Sequence, residues 1–382
     1  MKKLIATKLF KTPLWLTSIA ASTLGFAQLA FAQEEPKYNL PTPVSPLTKD
    51  IYALHVMTSW VALILMVIVT IIVVYSLVKF RKSKGYEPDQ NFHKSWFGRW
   101  AWALVPLLVL GIDMAIAGRA ASTLKALYNH PDADITIKVT GSQWKWTYEY
   151  MDDDIRFNSN LNKDLTPEDK QYLRDVDNPL VLPVDTNVRF LHTATDVLHN
   201  WWVPAVAYKV DSVPGFINET RTRIEEIGTY RGQCAENCGT GHAFMPIVVK
   251  AVSKEDYAVW KTEQQAKSAA AAAEASADKE WSMDELMARG KAVYEKSCVA
   301  CHQMTGEGIP GVFPALKGSP VAVGDMATHI GTVVNGVSGT AMAAWKNQLN
   351  DLELAAVITY ERNAWDNDKG DLAQPADIKA VR

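Results

Sequence analysis

Two long apolar runs dominate the first third of the chain. The first, residues 51–78, contains no Asp, Glu, Lys or Arg, and as a helix rising about 1.5 Å per residue it exceeds the roughly 30 Å hydrocarbon core of a bilayer. The second, residues 100–117, lies between Arg99 and Arg119. This pattern predicts a hairpin of two transmembrane helices, and a buried helix of a soluble domain is the alternative for the first run.

The loop between the two runs is strongly basic. Its cationic residues outnumber Glu87 and Asp89, and they are Lys79, Arg81, Lys82, Lys84, Lys94 and Arg99. Short basic loops stay on the cytoplasmic side, so we expect everything after about residue 120 to lie on the outer side. Asp113 lies inside the second run, where ionisable groups are usually paired or functional, and solvation at the outer interface is the alternative.

The first 32 residues have the pattern of a secretory signal peptide. Lysines precede an apolar run of small residues, and Ala30-Phe31-Ala32 has the small-x-small form of a cleavage site. We therefore exclude residues 1–32 from the fold, and a first membrane helix is the alternative interpretation.

Shorter alternating runs follow. Residues 134–252 contain ITIKVTG, PLVLPV and VRFLHTA, separated by Pro, Gly and Asp-Asn turns, which predicts an antiparallel β-sandwich or barrel. Ala-rich residues 266–280 predict a tether that is helical in part. Ser282-Met283-Asp284-Glu285 is a capping box that begins a compact all-α segment. The expected fold class is a multidomain membrane protein with two transmembrane helices, an all-β domain and then an all-α domain.

Composition adds a few limits to this organisation. A chain of 382 residues allows two or three domains, and a formal net charge of -3 gives no reason to expect nucleic acid as a partner. The four cysteines fall in two tight pairs, which indicates cofactor or redox chemistry. The predicted division is a signal peptide (1–32), an N-terminal segment with the membrane hairpin (33–120), an outer β domain (121–260), a linker (261–281) and an all-α domain (282–382).

The first cysteine pair belongs to the stretch CAENCGTGHAFM, residues 234–245. Thiolate, imidazole and thioether donors suit copper in electron-transfer sites, and two cysteines four apart can bridge two metals if a second histidine comes from elsewhere. His199, in DVLHNWWVP, is the candidate. A disulfide between Cys234 and Cys238 and a zinc site with two cysteines and two histidines are the alternatives, and both leave Met245 unexplained.

The second pair lies in CVACH, residues 298–302, which is the attachment motif of a c-type haem. Cys298 and Cys301 would form the thioethers and His302 would be the proximal ligand. Met342, in NGVSGTAMAAW, is the expected distal ligand, and Met with His raises the haem potential. The alternatives for the distal position are Met304, Met326 and His329.

The residues of the β segment carry a resemblance. VDNPLVLPVDTNVRF, DVLHNWWVPA, KVDSVPG and CAENCGTGHAFMPIVV resemble subunit II of haem-copper cytochrome c oxidases in its binuclear copper A form, and GSQWKWTYEY resembles that family's aromatic stretch. The resemblance implies a cupredoxin fold in which Cys234 and Cys238 bridge two coppers. It makes the remaining ligands His199, His242, Met245 (weak) and Glu236 through its backbone carbonyl. It also makes Trp144 the point at which electrons enter this domain, with packing in an aromatic core as the alternative.

Residues 284–366 resemble a class I cytochrome c, with VITYERNAW as its terminal helix. This resemblance implies that the carbonyl of Pro314, in FPAL, holds His302. The whole chain is therefore similar to a subunit II fused to a C-terminal cytochrome c domain, as in caa3-type oxidases. One departure concerns Arg99, which lies three positions ahead of Trp102 where many relatives have a glutamate that contributes to proton uptake, so that role is not carried over.

Together the resemblances imply the electron-input subunit of a respiratory terminal oxidase, an oxidoreductase and proton translocase whose oxygen-reducing site lies in another subunit. The expected cofactors are binuclear copper A and one covalent haem c. The expected partners are catalytic subunit I, subunit III, a soluble or membrane-bound cytochrome c donor and the lipid bilayer. We expect a multi-pass protein of the bacterial inner membrane with both cofactor domains on the periplasmic side.

Three alternatives belong to other classes of protein. A quinol oxidase subunit would have no reason to keep both cysteines and both histidines. A copper A nitric oxide reductase could use the same electron module, and the co-purified subunit would distinguish it. A membrane-tethered electron carrier without a catalytic partner is the third.

Overall fold

The structure is a computed structural model that describes residues 38–382 except 88, 129–130, 276–278 and 347. The signal peptide predicted for residues 1–32 lies outside the described residues. Three parts follow one another along the described chain: a helical hairpin, a domain of two β-sheets and a C-terminal helical domain.

The hairpin consists of α1 (Pro46–Lys79) and α2 (Trp96–Tyr128), of 34 and 33 residues. Both are long and apolar enough to cross a membrane, and most of their side chains are exposed because little else in the described part of the chain covers them. Near their outer ends Arg119 lies 3.2 Å from Asp50. These helices confirm the predicted hairpin. Each helix is longer at both ends than the apolar run from which it was predicted.

The start of α1 is attached to the β-sheet domain. Ser45 is the N-cap, and its Oγ donates to the carbonyl of Val206 at 3.0 Å. Thr48 Oγ1 donates to the carbonyl of Ala205 at 3.0 Å, and Val44 N donates to the same carbonyl at 2.9 Å. All three anchoring residues are buried, so the first membrane helix is fixed to this domain by buried hydrogen bonds.

Ten strands form what we call the β domain. They are β1 (Ile135–Ser142), β2 (Lys145–Tyr150), β3 (Ile155–Ser159), β4 (Leu180–Pro183), β5 (Val188–Ala194), β6 (His199–Trp202), β7 (Val210–Ser212), β8 (Asn218–Thr222), β9 (Gly228–Cys234) and β10 (Pro246–Val252). One sheet has the order β3-β2-β1-β5-β8 and the other β4-β10-β9-β6-β7. Large apolar side chains fill the space between the sheets, including Trp146, Tyr148, Phe190 and Trp201.

The prediction of purely antiparallel strands was wrong for two strand pairs. β1 pairs with β5 in parallel, and β10 pairs with β4 in parallel, so both sheets are mixed. Each parallel pair joins strands that are far apart in sequence, and such pairing leaves no local turn signal. The all-β cupredoxin-like character of the domain is nevertheless as expected.

A helix, α3 (Lys254–Ala275), leads out of the β domain. At its start Tyr257 and Trp260 stack with ring centroids 5.6 Å apart, and Trp260 lies 5.2 Å from the ring of Tyr150. At its end Glu274 pairs with Arg289 of the C-terminal domain at 2.5 Å. Much of the predicted linker is therefore helix, in agreement with a tether that is helical in part.

The C-terminal domain contains five further helices. They are α4 (Met283–Ser297), α5 (Val299–His302), α6 (Met326–Asn335), α7 (Asp351–Asn363) and α8 (Pro375–Lys379). Ser282 caps α4 and shares a reciprocal capping box with Glu285, which confirms the predicted start of this domain's first helix. Helices α4 and α7 cross closely at Gly290, where an added Cβ would lie 2.7 Å from Cβ of Tyr360.

Candidate functional site

The copper-type donors lie at one end of three neighbouring strands. Cys234 is the last residue of β9, His199 is the first of β6, and Met245 immediately precedes β10. β9 pairs with β6 on one side and with β10 on the other. Cys238 and His242 lie in the β9–β10 connection, and a short 3-10 turn begins at His242. The fold therefore brings His199 to the other donors although it lies 35 positions before Cys234 in the sequence.

The distances describe a compact donor cluster. Sγ of Cys238 lies 3.8 Å from Sγ of Cys234, 3.5 Å from Nδ1 of His242 and 3.5 Å from Sδ of Met245. His199, Cys234 and Cys238 are all buried, and their ligand atoms lie within 4.8 Å of one another. The carbonyl oxygen of Glu236 is 3.3 Å from Sγ of Cys234. All six donors expected from the resemblance are thus in or beside one cluster.

This donor set fits copper better than the two alternatives. The sulfurs of Cys234 and Cys238 are 3.8 Å apart, whereas a disulfide bond needs about 2.05 Å. A zinc site with two cysteines and two histidines would not use Met245, whose side chain is buried against Cys238. Nδ1 of His199 is buried with no hydrogen-bond partner in the described part of the chain, as expected for an atom that faces a metal.

The two thiols of this cluster shift each other's pKa in opposite directions. The hydrogen bond from Cys238, aided by the nearby imidazole of His199 and by backbone groups, holds the pKa of Cys234 well below its ordinary value against the opposing effect of burial. The same interaction, with burial, raises the pKa of Cys238. One thiolate is therefore ready for a metal at neutral pH, since the thiolate is the ligand form of cysteine.

A second layer of residues orients the donors, and the motif alone does not reveal it. Oδ1 of Asp196 lies 2.8 Å from Nε2 of His199, and its Oδ2 accepts from the backbone N–H of Gln143 at 2.7 Å. Gln143 Nε2 and Trp144 Nε1 both donate to the carbonyl of Cys238, at 2.8 and 3.1 Å. Asp196 thus fixes the ring orientation of His199 and leaves Nδ1 for a metal. The only sequence signals were the nearness of Asp196 to His199 and of Gln143 to Trp144.

Gly241 has a steric role at this site. Its φ of -92° is accessible to any residue, so conformational freedom is not the reason for a glycine here. An added Cβ would overlap the indole ring of Trp144. Gly239, by contrast, has a φ of +108°, which side-chain-bearing residues rarely adopt. The two glycines therefore close the ligand loop for different reasons.

The CVACH residues line a cavity of about 380 Å³. Cys298, Cys301, His302 and Met342 all contribute to its wall, and its volume is within the range of cofactor pockets. His302 is buried, and its Nδ1 lies 2.9 Å from the carbonyl oxygen of Pro314. Because a carbonyl only accepts, Nδ1 carries the proton and Nε2 is left for a metal bond. These residues fit a covalently attached haem.

The other candidates for the distal haem ligand are in less suitable positions than Met342. Met304 is 57% exposed, and neither it nor Met326 is among the residues of the cavity wall. His329 does line the cavity, but its Nε2 lies 3.0 Å from Oε2 of Glu361. Of the four sequence candidates, Met342 is therefore the one whose donor is both in the cavity wall and uncommitted to an ion pair.

The cavity lies between the two domains, and we call it the interdomain cavity. Besides residues of the C-terminal domain, four residues of the β domain line it, namely Ser142, Gln143, Lys145 and Asp196. At its edge the ring centroids of Trp144 and Phe313 are 6.3 Å apart at an interplanar angle of 80°. Lys163 Nζ also donates to the carbonyl of Glu295 at 3.1 Å across the interface. The donor cluster and the interdomain cavity therefore share a wall.

The β domain and the C-terminal domain each match a model of a known protein family. Residues 135–252 match the family model "Cytochrome C oxidase subunit II, periplasmic domain". Residues 285–360 match the model "Cytochrome C oxidase, cbb3-type, subunit III". The probable cytochrome c oxidase subunit 2 of Rickettsia bellii is 38% identical over 240 residues, which are 62% of this chain and 87% of the relative. The chain belongs to the cytochrome c oxidase subunit 2 family.

Other members of the family show the same extent of similarity. Cytochrome c oxidase subunit 2 of Cereibacter sphaeroides is 36% identical over 238 residues, covering 56% of this chain and 76% of that protein. The crystal structure of the periplasmic domain of subunit II of cytochrome oxidase of Bradyrhizobium japonicum is 40% identical and covers 36% of this chain and 97% of that chain, with a TM-score of 0.34. As a cytochrome c oxidase subunit 2 with a fused cytochrome c domain, the chain is a membrane-anchored component of a haem-copper oxidase with its β domain on the periplasmic side.

Proposed function

We propose that this chain is the electron-input subunit of a respiratory terminal oxidase. In this proposal it receives electrons from a soluble cytochrome c and delivers them to the haem of catalytic subunit I, where oxygen is reduced to water with proton pumping. Haem c and binuclear copper, when bound, supply reversible one-electron oxidation and reduction. The domain division predicted from the sequence, with cofactor domains at 121–260 and 282–382, is part of the proposal.

The residues of the donor cluster would hold the copper centre. Cys234 and Cys238 would bridge two copper ions, with His199, His242, Met245 and the carbonyl of Glu236 as the remaining ligands. The support is the burial of this cluster and the hydrogen bonds from Gln143 and Trp144 to the carbonyl of Cys238, which keep the ligand loop in place. A rigid ligand set needs little rearrangement when the charge of the site changes, which suits electron transfer.

The residues of the interdomain cavity would hold haem c. Cys298 and Cys301 would attach it, His302 and Met342 would be its axial ligands, and Pro314 would orient His302 by accepting from Nδ1. Burial raises the pKa of Cys301 to about 11, so this thiol is protonated at neutral pH, unlike that of Cys234 in the copper-type pair. This difference supports covalent attachment in place of a second metal-thiolate site.

One observation carries the proposal for the order of transfer. Trp144 donates to the carbonyl of Cys238 on one side and meets the ring of Phe313 on the other, and Phe313 precedes the residue that holds His302. A single indole therefore links the wall of the interdomain cavity to a copper ligand. We propose Trp144 as the point at which electrons enter the copper site, here from the C-terminal domain of the same chain.

The remaining partners follow from family membership. Subunit I is the expected acceptor, subunit III is a further partner, and the bacterial inner membrane is the expected location. A copper A nitric oxide reductase would use the same input module, so the identity of the co-purified catalytic subunit decides between them. Oxygen consumption by the purified complex with ascorbate as reductant would also eliminate a tethered carrier without a catalytic partner.

The test of the copper assignment uses Cys234→Ser and Cys238→Ser. A hydroxyl does not replace a bridging thiolate for a soft metal, so each variant should lose the near-infrared copper absorption and the oxidase activity. Covalent haem c, measured by its absorption and by mass spectrometry, should remain, because the C-terminal domain is unchanged. A normal binuclear copper signal in either variant would refute the assignment.

A further inference from the structure

A lysine of the β domain is buried in the wall of the interdomain cavity. Lys145 begins β2, is 4% exposed and lines the cavity together with residues of the C-terminal domain. Its Nζ has no hydrogen-bond partner in the part of the chain that the structure describes. Nζ instead lies 4.4 Å from the ring centroid of Trp345, three residues after Met342.

Burying an ammonium group in this position costs free energy of folding unless its charge interacts with another group. Burial lowers the pKa of Lys145 to about 8, so the side chain is still mainly protonated at neutral pH. A cation over an indole face offsets only part of the lost hydration. A leucine or methionine would fill the same space without that cost, which indicates that the charge acts on what occupies the cavity.

The neighbouring acidic groups are already committed to other partners. Both oxygens of Asp196 are used, by Gln143 and by Val197 and His199. Glu361, in the wall of the cavity, is paired with His329. Glu353 accepts from the backbone of Asn350 in the capping box of α7. None of these carboxylates pairs with Lys145 in the described part of the chain, so its Nζ lies in the cavity wall without an ion-pair partner.

We propose that Lys145 is a positioning residue that the β domain contributes to the haem site of the C-terminal domain, where its ammonium docks on Trp345 and raises the haem reduction potential. This inference rests on the proposed function, because it requires haem c in the cavity. A buried positive charge favours the state of a nearby group that holds one more electron, and the effect is strong where water is excluded. The potential of haem c is thus set partly by the domain that receives its electrons.

The test is a redox titration of haem c in the purified full-length complex, with Lys145→Met compared with wild type. Methionine keeps the length and apolar stem of lysine but removes the charge. The control is Lys138→Met on neighbouring β1, because Lys138 is only half-buried, with its side chain 38% exposed, and pairs with Glu149 at 3.5 Å. Covalent haem and near-infrared copper absorption are recorded first in every sample. Their absence from wild type would refute the proposed function itself.

The expected result is a lower haem potential in Lys145→Met alone. A unit charge on the order of 10 Å away, at an effective dielectric constant of about 20, changes the reduction equilibrium constant by about tenfold. For a one-electron couple that fold-change corresponds to about 59 mV. Lys145→Arg should keep most of the effect. If the haem and copper signals are intact and Lys145→Met titrates like Lys138→Met, the inference is wrong.

A second measurement keeps the inference testable if Lys145→Met does not assemble. Wild-type complex is treated briefly with an amine-acylating reagent, and the modification of each lysine is measured by mass spectrometry. Lys145 should react at least about tenfold more slowly than Lys138, because reaction with a buried amine requires local opening of the interface. Equal labelling of the two lysines would show that the β domain does not bury Lys145 against the haem site, and would overturn the inference.

Discussion

Two pairs of cysteines in this chain differ in acidity because their surroundings differ. A hydrogen bond from Cys238 keeps the pKa of Cys234 low, whereas burial raises the pKa of both Cys298 and Cys301. Cys234 of the first pair is thus prepared to bind metal as a thiolate, whereas the pKa of its neighbour Cys238 is raised like those of the second pair. The contrast matches the two sequence motifs, and it arises from contacts that neither motif specifies.

At the same scale, Met342→Ala tests the distal ligand of haem c. Alanine leaves Cys298, Cys301 and His302 unchanged, so the haem should remain attached, but its potential should fall and its sixth position should open. Carbon monoxide should then bind to the reduced haem c, as seen in its absorption spectrum. Met304→Ala is the control, because Met304 is 57% exposed. An unchanged spectrum in Met342→Ala would assign the ligand to another residue.

Single residues also show which parts of the candidate sites can be predicted from the sequence. Most candidate donors belong to recognisable motifs, because a cofactor requires its ligand atoms at characteristic short spacings. These motifs are CxxxC and CxxCH, with the histidine and methionine residues that follow them. Gln143, Asp196 and Phe313 follow no such rule, since each contributes through a hydrogen bond or ring contact that exists only after distant strands or domains meet. For the same reason, the burial of Lys145 in the cavity wall could not be predicted from its place in the stretch QWKW.

Between elements, the closest packing in the C-terminal domain is the crossing of α4 and α7. At Gly290 an added Cβ would overlap the backbone carbonyl of Ala356, which cannot move without displacing α7. The aromatic rings of Tyr294, Tyr360 and Trp365 pack beside the crossing, with centroids 4.8 to 5.5 Å apart. This small residue therefore sets the distance between the two helices that support one wall of the interdomain cavity.

Gly290→Ala should destabilise this crossing by about 1–3 kcal/mol, which is typical of overpacking. The control is Gly331→Ala in α6, where an added Cβ meets nothing within 4 Å. That change should stabilise the helix by about 0.4–1 kcal/mol, because alanine loses less backbone entropy on folding. The thermal loss of the haem circular dichroism signal in the full-length protein measures both. Equal midpoints for the two variants would contradict the proposed close approach.

Elements also mark the limit of what could be predicted about the fold. The membrane hairpin and the capping box of α4 depend on local patterns, and both were predicted. The parallel pairs β1/β5 and β4/β10 were not, because a strand's own sequence does not specify its partner across some 50 residues or more. Since β5 leads directly to Asp196 and His199, this pairing also determines where the donor cluster lies.

For the whole molecule, the important arrangement is that both cofactor sites lie on one chain and share an interface. The contacts across it in the described part of the chain include Trp144 with Phe313, Lys145 with Trp345 and Lys163 with the carbonyl of Glu295. A covalent connection between two such domains keeps the local concentration of each near the other high. Here α3 and the residues after it provide that connection.

Transfer within one chain should therefore be independent of protein concentration. In the intact complex, the rate at which copper A is reduced after rapid reduction of haem c should not change on dilution. A specific protease site inserted between Ala275 and Lys279, once cut, should make this step slow with dilution and vary with salt. The inserted but uncut protein is the control. If the cut protein reduces copper A from external cytochrome c as fast as the intact one at every dilution, donors reach the copper directly and the proposed relay is wrong.

The helical form of α3 makes the connection sensitive to angle as well as to length. Tyr257 and Trp260 fix one end of this helix in the β domain, and Glu274 fixes the other end to Arg289. Each residue inserted between them would turn the second end by about 100° and advance it by about 1.5 Å. One extra residue would thus aim Glu274 away from Arg289, whereas seven would restore its direction about 10 Å farther out. Among proteins with this fusion, the length of the helix should therefore differ by whole helical turns and not by single residues.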